Sequence, residues 1–422
     1  MNMLISVQAL QDKLSRAANQ SLDRTFGALY DKLYRSDVLQ EAWTRVRANK
    51  GAPGIDEHSI EYIETVIGVE AFLAEIGQEL HAKTYRPLPV KRCWIDKPGK
   101  PEKRPLGIPV IKDRVVQMAV KLVIEPIFET NFQPCSYGFR PGRDATQAIC
   151  EIQRVITFQG RTVVIDADIR GYFDNIPQQP LLNLVRRRIS DPRMIKLIKG
   201  WLEAGVMDEG THVPSDGIGT PQGGVISPLL ANIYLHAFDK MWQQSKLPGT
   251  LVRYCDDFVI LLHPKTDRQW ILTRVRGMLG RLGLELHPEK TRVVDAKDGF
   301  DFLGVHIRLC RVRKPKAKLK YSARVWPSKA STQRIKQKVR DVIGRRYGRT
   351  LAEMIKELNP VLRGWSNYHL RARGERRRLR KLNRFVRERL RIFLKRKYSD
   401  PTRGTRRLLG NLLVRLGLFQ FA

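Results

Sequence analysis

Two strand-like runs in this chain carry carboxylates where an ordinary sheet would be wholly apolar. The stretch Thr162-Val-Val-Ile-Asp-Ala-Asp-Ile169 ends on Asp168, and two adjacent acids, Asp256 and Asp257, break the run Leu251-Val-Arg-Tyr-Cys-Asp-Asp-Phe-Val-Ile-Leu-Leu262. Strings rich in Val, Ile, Tyr and Phe favour strands. Burying unpaired carboxylates costs several kcal/mol or more, so such a sheet is tolerable only where something neutralises the charge. A pair of divalent cations would do so. Phosphoryl transfer employs two metals about 3.5–4 Å apart, and hard oxygen ligands with open positions favour Mg²⁺. The competing assignment for Asp256 and Asp257 is a tight hairpin turn, where Asp is common.

Around these runs the spacing of apolar residues predicts an α+β chain. Leu22, Phe26, Leu29, Tyr30 and Leu33, continued by Leu39, Trp43 and Val46, predict helices up to about residue 48. A Gly- and Pro-bearing loop follows over 49–56, then helical spacing again over 59–83. The proline-rich stretch 85–110 alternates basic and apolar residues and predicts a basic hairpin. Helices are expected at 113–129, 145–156, 178–205, 226–243 and 267–283. Strands are expected at 161–169, 251–262 and 300–309, giving a sheet with helices on one face. Residues 311–322, rich in Lys, Arg and Pro, are expected to be a hinge or strand edge, and 329–397 to be all helical.

Charge separates the two ends. The formal net charge is +35 and the pI about 10.4. From Arg308 onward there are 36 Lys and Arg against 6 Asp and Glu, so most of the excess sits in the last quarter or so. Such an excess calls for a polyanionic partner, with nucleic acid the leading candidate. Apolar residues at helical spacing within this region predict folded basic helices rather than a solvated tail. The five cysteines are scattered without paired spacing, so neither a disulfide framework nor a zinc site is indicated. No apolar run is long enough for a membrane span and the start lacks a signal-peptide pattern, so the expectation is a cytoplasmic protein without a membrane partner.

Seven motifs occur in order: Arg104-Pro-Leu-Gly-Ile-Pro109, Tyr137-Gly-Phe-Arg-Pro-Gly142, Asp168-Ile-Arg-Gly-Tyr-Phe-Asp174, Gly219-Thr-Pro-Gln-Gly-Gly-Val-Ile-Ser-Pro-Leu-Leu230, Tyr254-Cys-Asp-Asp257, His287-Pro-Glu-Lys-Thr291 and Phe302-Leu-Gly304. Over roughly residues 30 to 370 the chain resembles group II intron-encoded reverse transcriptases, and Gly364-Trp-Ser-Asn-Tyr-His369 is similar to the signature of their maturase region. The resemblance implies a right-hand polymerase with fingers, a palm of antiparallel sheet and helices, and an all-helical thumb and maturase domain. The implied boundaries are 1–75 for an N-terminal extension and the first part of the fingers, and 76–310 for fingers and palm. A basic linker at 311–328, the helical thumb at 329–398 and a tail at 399–422 complete the division.

The resemblance further implies an RNA-directed DNA polymerase. Asp168, Asp256 and Asp257 would be its metal ligands, assisted by the backbone carbonyl of Ile169, with two Mg²⁺ ions that Mn²⁺ can replace. Lys97 and Arg104 match the cations that hold a deoxynucleoside triphosphate, Phe173 the aromatic that crowds the sugar 2′ position, and Gln222 a contact to nucleotide and template. Lys290 matches a lysine that protonates the pyrophosphate. Tyr254, Cys255, the turn Phe302-Leu303-Gly304, and Arg140 and Arg143 of the basic loop would lie on primer and template. Against these roles stand plainer ones: core packing for Phe173, with Tyr172 as the alternative aromatic; solvated charge for Lys97, Arg104 and Lys290; a helix-entry loop for Gln222. Trp365 and Tyr368 could stack on bases or pack within the thumb.

Two departures from the family pattern stand out, Asp96 where Pro is usual and Cys255 where Ala is usual. No paired cysteines or clustered histidines of an HNH nuclease follow residue 370, so no second-strand nuclease is expected. Partners would be an RNA template, a DNA or RNA primer, deoxynucleotides and group II intron RNA. Two other uses stay open at this stage: a group II-like enzyme of DNA repair or phage defence without an intron, and a non-polymerising RNA-binding splicing cofactor.

Overall fold

The computed structural model describes residues 2–96, 103–312, 320–344, 348–369, 376–398 and 410–421. Lys97, residues 371–375 of the expected helical thumb and the start of the expected tail lie outside the described residues.

The N-terminal part is helical: α1 (Asn2–Gln20), α2 (Ser36–Ala48), a short α3 (Ile60–Tyr62) running into a π turn at Ile63–Ile67, and α4 (Val69–Ala82). The helical spacing of Leu22, Phe26, Leu29 and Leu33 is misleading, because residues 21–35 are irregular apart from a 3₁₀ turn at Tyr30–Lys32. A distant carboxylate decides this. Asp191 Oδ2 accepts from the amides of Leu29 (3.1 Å) and Tyr30 (3.0 Å), and the Phe26 amide donates to Arg188 O at 2.8 Å, so these amides find tertiary partners in place of a helix.

The basic hairpin forms as β1 (Val90–Asp96) and β2 (Lys103–Ile108), paired from Lys91 with Ile108 to Asp96 with Lys103. The buried helix α5 (Ile111–Glu129) follows, then α6 (Ala145–Gln159), whose N-cap Asp144 accepts from the Gln147 amide, and β3 (Val163–Asp168). The helical stretch expected at 178–205 is two helices, α7 (Gln178–Arg186) and α8 (Pro192–Glu203), because Asp191 caps and Pro192 opens the second. Two short strands without an alternating signal, β4 (Val206–Asp208) and β5 (Thr211–Val213), extend the hairpin into a sheet of order β2-β1-β4-β5, with β1 and β4 parallel.

After α9 (Ser227–Ser245) come β6 (Thr250–Tyr254), β7 (Asp257–Leu262), α10 (Arg268–Gly280) and β8 (Arg292–Asp295); β3 and β6–β8 form an antiparallel sheet of order β6-β7-β3-β8. The strand-like stretch 251–262 is thus two strands and a turn, the hairpin that stood as the competing assignment for its acids. The stretch 300–309 divides at the turn expected around Leu303, into β9 (Phe300–Phe302) and β10 (Val305–Arg311). The last part of the expected linker at 311–328, whose residues 313–319 lie outside the described ones, is a strand, β11 (Tyr321–Pro327), which pairs with β10 from Val305–Pro327 to Arg311–Tyr321 and forms one edge of a three-stranded sheet. Its alternating Ala323 and Val325 are buried under α6, which draws this strand into a core.

Period-two alternation sorts the central sheet onto two cores. Ile165, Ala167, Phe258, Ile260 and Leu262 face the large core built with α1, α2, α4, α5 and α7–α10. Val164, Val252, Val259 and Leu261 face a second core shared with α6 and β9–β11. Both faces are therefore covered, not one.

The last part is helical: α11 (Lys329–Ile343), α12 (Leu351–Tyr368), α13 (Arg376–Lys397) and α14 (Gly410–Arg415). Thr350 and Glu353 open α12 with a reciprocal capping box. The end of the expected tail folds back instead of trailing: Leu413, Leu418 and Phe421 join the core of α11–α13. Asn383 donates to Phe421 O (2.9 Å) and accepts from Phe421 N (2.9 Å), while Asn359 treats Gly417 O (2.9 Å) and Phe419 N (2.8 Å) likewise. Among the described residues no helix is long and apolar enough to cross a membrane.

Candidate active site

The register of β3 against β7 places Asp168 directly opposite Asp257. Both side chains leave the same face of the sheet, together with Asp166 two residues back, and like charges in such positions repel. This is the face covered at its other end by α6 and β9–β11; the acids lie where that cover stops. Tyr254 pairs with Asp257 and leaves Cys255 and Asp256 as a two-residue turn between β6 and β7. The turn and the carboxylate cluster are therefore one object. Cys255 has φ 59°, the positive value that primed hairpin turns require at their first central position.

The charges on this face are poorly compensated. Burial and then the carboxylates of Asp256, Asp168 and Asp166 push the Asp257 carboxyl up to about 7, with Lys290 opposing, although its side chain still reaches solvent. Burial raises Asp256 as well, Asp168 adds to this, and Arg104 acts in the other direction. Lys290 Nζ donates to Asp168 Oδ2 at 2.5 Å, and Arg292 pairs with Asp166 at 2.9 Å. Among the described residues no three His, Cys, Asp or Glu side chains converge closely enough to hold a metal unaided, and Lys290 occupies one oxygen of Asp168. The donor set nevertheless fits a divalent ion: hard oxygens from two strands and a turn, mutually repelling and open on one side.

A buried polar network beneath the turn escaped the sequence reading. Arg253 and Asp239 are both fully buried; Nε donates to Oδ1 at 2.8 Å and Nη2 to Oδ2 at 2.5 Å. Burial works against the guanidinium charge, but Asp239 outweighs it and holds the Arg253 pKa above its ordinary value. The remaining donors go to Ser136 Oγ (2.8 Å), Asn232 Oδ1 (3.1 Å) and the carbonyl of Cys255 (3.0 Å), so Arg253 supports the turn directly. Gly138 lies against the same turn: a Cβ there would fall 2.6 Å from the Cys255 nitrogen. The available signal was an arginine inside an otherwise apolar strand, which demands a buried partner.

The Gly219–Leu230 motif docks beside the acids. Thr220 N donates to Phe173 O (2.8 Å), Gly107 N to Gln222 O (2.6 Å), and Gln222 Nε2 to Asp174 Oδ1 (2.8 Å), so Gln222 is held between β2 and the segment after β3. Tyr172 is 2% exposed and donates to Ala231 O at 2.6 Å, which leaves Phe173 as the partly exposed aromatic of the pair. Arg104 is exposed on β2. Ile169 is bracketed by two backbone bonds, His287 N to Asp168 O (2.8 Å) and Arg170 N to Glu285 O (2.9 Å), which seat the Lys290 loop next to Asp168.

Other expectations need correction. Arg140 is not free for a template phosphate: it is 8% exposed, bonded to Glu129 at 2.6–3.0 Å, and donates to Gln133 O (2.8 Å) and Ser136 O (2.7 Å). Arg143 is half-buried over the Tyr137 ring. The Cys255 side chain is buried in the large core, not set toward a primer, and its residue lies in a turn instead of a strand. Phe302 is likewise buried, so only the half-buried Leu303 and Gly304 of their turn reach the surface. Trp365 packs in the helical core and donates to Ser331 Oγ at 3.1 Å, whereas Tyr368 is half exposed.

Residues 95–307 match the family model described as reverse transcriptase (RNA-dependent DNA polymerase), and residues 332–409 the group II intron, maturase-specific domain. Reverse transcriptases as a family use divalent metal ions. The chain is similar to the group II intron-encoded protein LtrA of Lactococcus lactis subsp. cremoris, 32% identical over 368 residues covering 72% of this chain and 60% of LtrA. Protein YkfC of Escherichia coli (strain K12) is 34% identical over 337 residues, 71% of this chain and 87% of YkfC. An uncharacterised 91 kDa protein in a cob intron of Schizosaccharomyces pombe is 29% identical over 366 residues, 72% of this chain and 44% of that protein. The chain thus spans about 60% of the length of LtrA. Since one family match runs across both acid-bearing strands and another lies over the C-terminal helices, the chain belongs to the reverse transcriptases and carries a group II intron maturase-specific domain.

Proposed function

We propose that this chain copies RNA into DNA by phosphoryl transfer at Asp168, Asp256 and Asp257, and that its basic helical unit binds group II intron RNA. The observation that carries the reading is the in-register pairing of Asp168 with Asp257, which stacks negative charge at the open end of a sheet and has the Asp256 turn beside it. The β6-β7-β3-β8 sheet is the palm in this reading, the β1–β2 hairpin belongs to the fingers, and α11–α13 make the thumb. The boundary between palm and thumb falls after β11, near residue 328.

Two Mg²⁺ ions, replaceable by Mn²⁺, would be held by the three aspartates with the Ile169 carbonyl, and would supply charge neutralisation and an acidified primer 3′-hydroxyl. The protein's own groups do the rest. Arg104, with Lys97, grips the triphosphate as a bidentate fork beside a point charge. Phe173 stands where a ribose 2′-hydroxyl would collide. Gln222, held by Asp174, orients the nucleotide against the template base. Lys290 exchanges Asp168 for the departing pyrophosphate and gives it a proton. Tyr254 and the Leu303–Gly304 turn flank the primer end. Exposed cations along α11 and α13 follow phosphates, so binding falls steeply with salt. No disulfide joins any of the five cysteines, as suits a reducing cytoplasm.

The test is primer extension on an RNA template with Mg²⁺ and deoxynucleotides, wild type against Asp256→Ala. Extension lost in the variant supports the polymerase; a folded, RNA-binding wild type that extends nothing moves the reading to a splicing cofactor.

A further inference from the structure

The turn between β9 and β10 is held from outside its own sheet. Leu303 has φ 45° and Gly304 φ 74°, a turn with two left-handed residues. Glycine adopts that backbone freely, but leucine pays for it sterically, so something must hold the conformation. Both carbonyls of the turn are engaged by the C-terminal helical unit. Tyr368 Oη, at the end of α12, donates to Leu303 O at 2.9 Å, and the Ser328 amide, at the start of α11, donates to Gly304 O at 3.0 Å.

These two grips are joined behind the turn. Ser328 Oγ accepts from the Ser331 amide at 3.1 Å. Ser331 Oγ in turn accepts from Trp365 Nε1 (3.1 Å) and meets His369 Nε2 (2.8 Å). The rings of Trp365 and His369 lie 4.5 Å apart, and Tyr368 and His369 meet edge to face at 5.0 Å. A closed circuit therefore runs from the turn through Ser328, Ser331, Trp365 and His369 to Tyr368 and back to the turn. It uses three residues of the Gly364–His369 motif, whose spacing on the end of one helix puts Trp365 and His369 inward while Tyr368 points at the palm-side turn. Arg334 and Lys338, one helical turn apart on α11, line the roughly 480 Å³ cleft beside it.

We infer that Tyr368 is a positioning residue: with the Ser331–Trp365–His369 network it clasps the Leu303–Gly304 turn to the helical unit, so that the turn and the helices bear on a nucleic-acid strand as one body. This rests on the polymerase reading for its functional consequence, though not for the clasp itself. The clasp governs how long the enzyme stays on a primer, and the chemistry at Asp168, Asp256 and Asp257 is left to other groups.

The experiment compares the full-length wild type with Tyr368→Phe, which deletes one hydroxyl. Amide hydrogen exchange over residues 300–307 is read without substrate, and product length per binding event and the single-nucleotide rate on prebound primer are read with a trap for released enzyme. Expected are exchange and product length altered about 2- to 10-fold, the range one neutral hydrogen bond carries, with the single-nucleotide rate within about twofold of wild type. Unchanged exchange with unchanged product length overturns the inference, as does a loss confined to the single-nucleotide rate. Should Tyr368→Phe lower the unfolding midpoint, Ser331→Ala decides, since it cuts the circuit while sparing the Tyr368 hydroxyl; faster exchange over 300–307 supports the clasp and unchanged exchange refutes it. If the wild type extends no primer, the polymerase reading falls and exchange alone decides the clasp.

Discussion

Replacing Asp239 should separate the stability of this protein from the geometry of its acid-bearing turn. Asp239 and Arg253 are both fully buried and doubly hydrogen-bonded, so Asp239→Ala strands a guanidinium that cannot shed its proton. Removing one partner of such a pair costs about 3–5 kcal/mol, a large part of the ~5–15 kcal/mol that holds a typical domain folded. The double variant Asp239→Leu with Arg253→Met removes both charges, and apolar replacement of a buried pair is often neutral or better. Its stability should return to within about 1–2 kcal/mol of wild type. Primer extension should not return with it, because methionine cannot donate to the Cys255 carbonyl that Arg253 holds at 3.0 Å. Losing that charged hydrogen bond, worth about 1.5–3 kcal/mol, corresponds to a roughly 10- to 100-fold drop in kcat/KM if the turn geometry sets the reaction. Urea titration followed by tryptophan fluorescence and steady-state extension on an RNA template supply the two readouts. A double variant with wild-type activity would refute the link from Arg253 to the turn, and an Asp239→Ala variant within about 1 kcal/mol of wild type would refute the desolvated pair itself.

Two further outcomes follow from the same coordinates. His236 and His369 are held down at about 4, chiefly by burial, with Arg334 adding at His369 and Asp239 opposing at His236. A folded pKa below the unfolded value near 6.5 means that the unfolded chain takes up the proton first, so stability is complete above about pH 6.5 and declines as pH falls toward 4. The loss is at most on the order of 3 kcal/mol per histidine, and His369→Gln should flatten the acid limb of a pH-dependent melting curve; an unchanged limb would mean that His369 is already protonated in the native state. Gly138→Ala should move the Cys255–Asp256 turn, because its Cβ would sit 2.6 Å from the Cys255 nitrogen. Extension should fall at least about tenfold while the protein stays folded, and a fully active variant would show that the backbone contact is not needed.

The chain read alone identified most helices where they occur, because α6 and α10 each bury a face, and α5 and α9 a long apolar run, visible in one segment. It also identified the motif residues, and the structure brings Asp168, Asp256, Asp257, Lys290, Gln222 and Phe173 into one neighbourhood. Boundaries failed where a distant group competes for the backbone. Residues 21–35 have a helical period, yet Asp191 and Arg188 take their amides and carbonyls. Turns within 251–262 and 300–309 were open to the sequence only as a competing hairpin and through the resemblance, because the residues at their bends, Cys255 and Leu303, are not turn formers by type; Gly138 and Tyr368 pack against them there.

What the sequence determined by itself was chemical: carboxylates embedded in strand-forming runs, a basic last quarter, and an ordered set of motifs that needs no coordinates to be seen. What only the tertiary structure decided was which of those groups are available. Arg140 looked like a phosphate contact and is spent on Glu129, Phe302 looked like part of a grip and is buried, and Tyr368 looked like core and is half exposed with its hydroxyl on Leu303. The physical reason is the same in each case. A side chain's chemistry is local and can be read from its type, whereas its burial and its partner depend on segments tens to hundreds of residues away, brought together only when the sheets and helices pack.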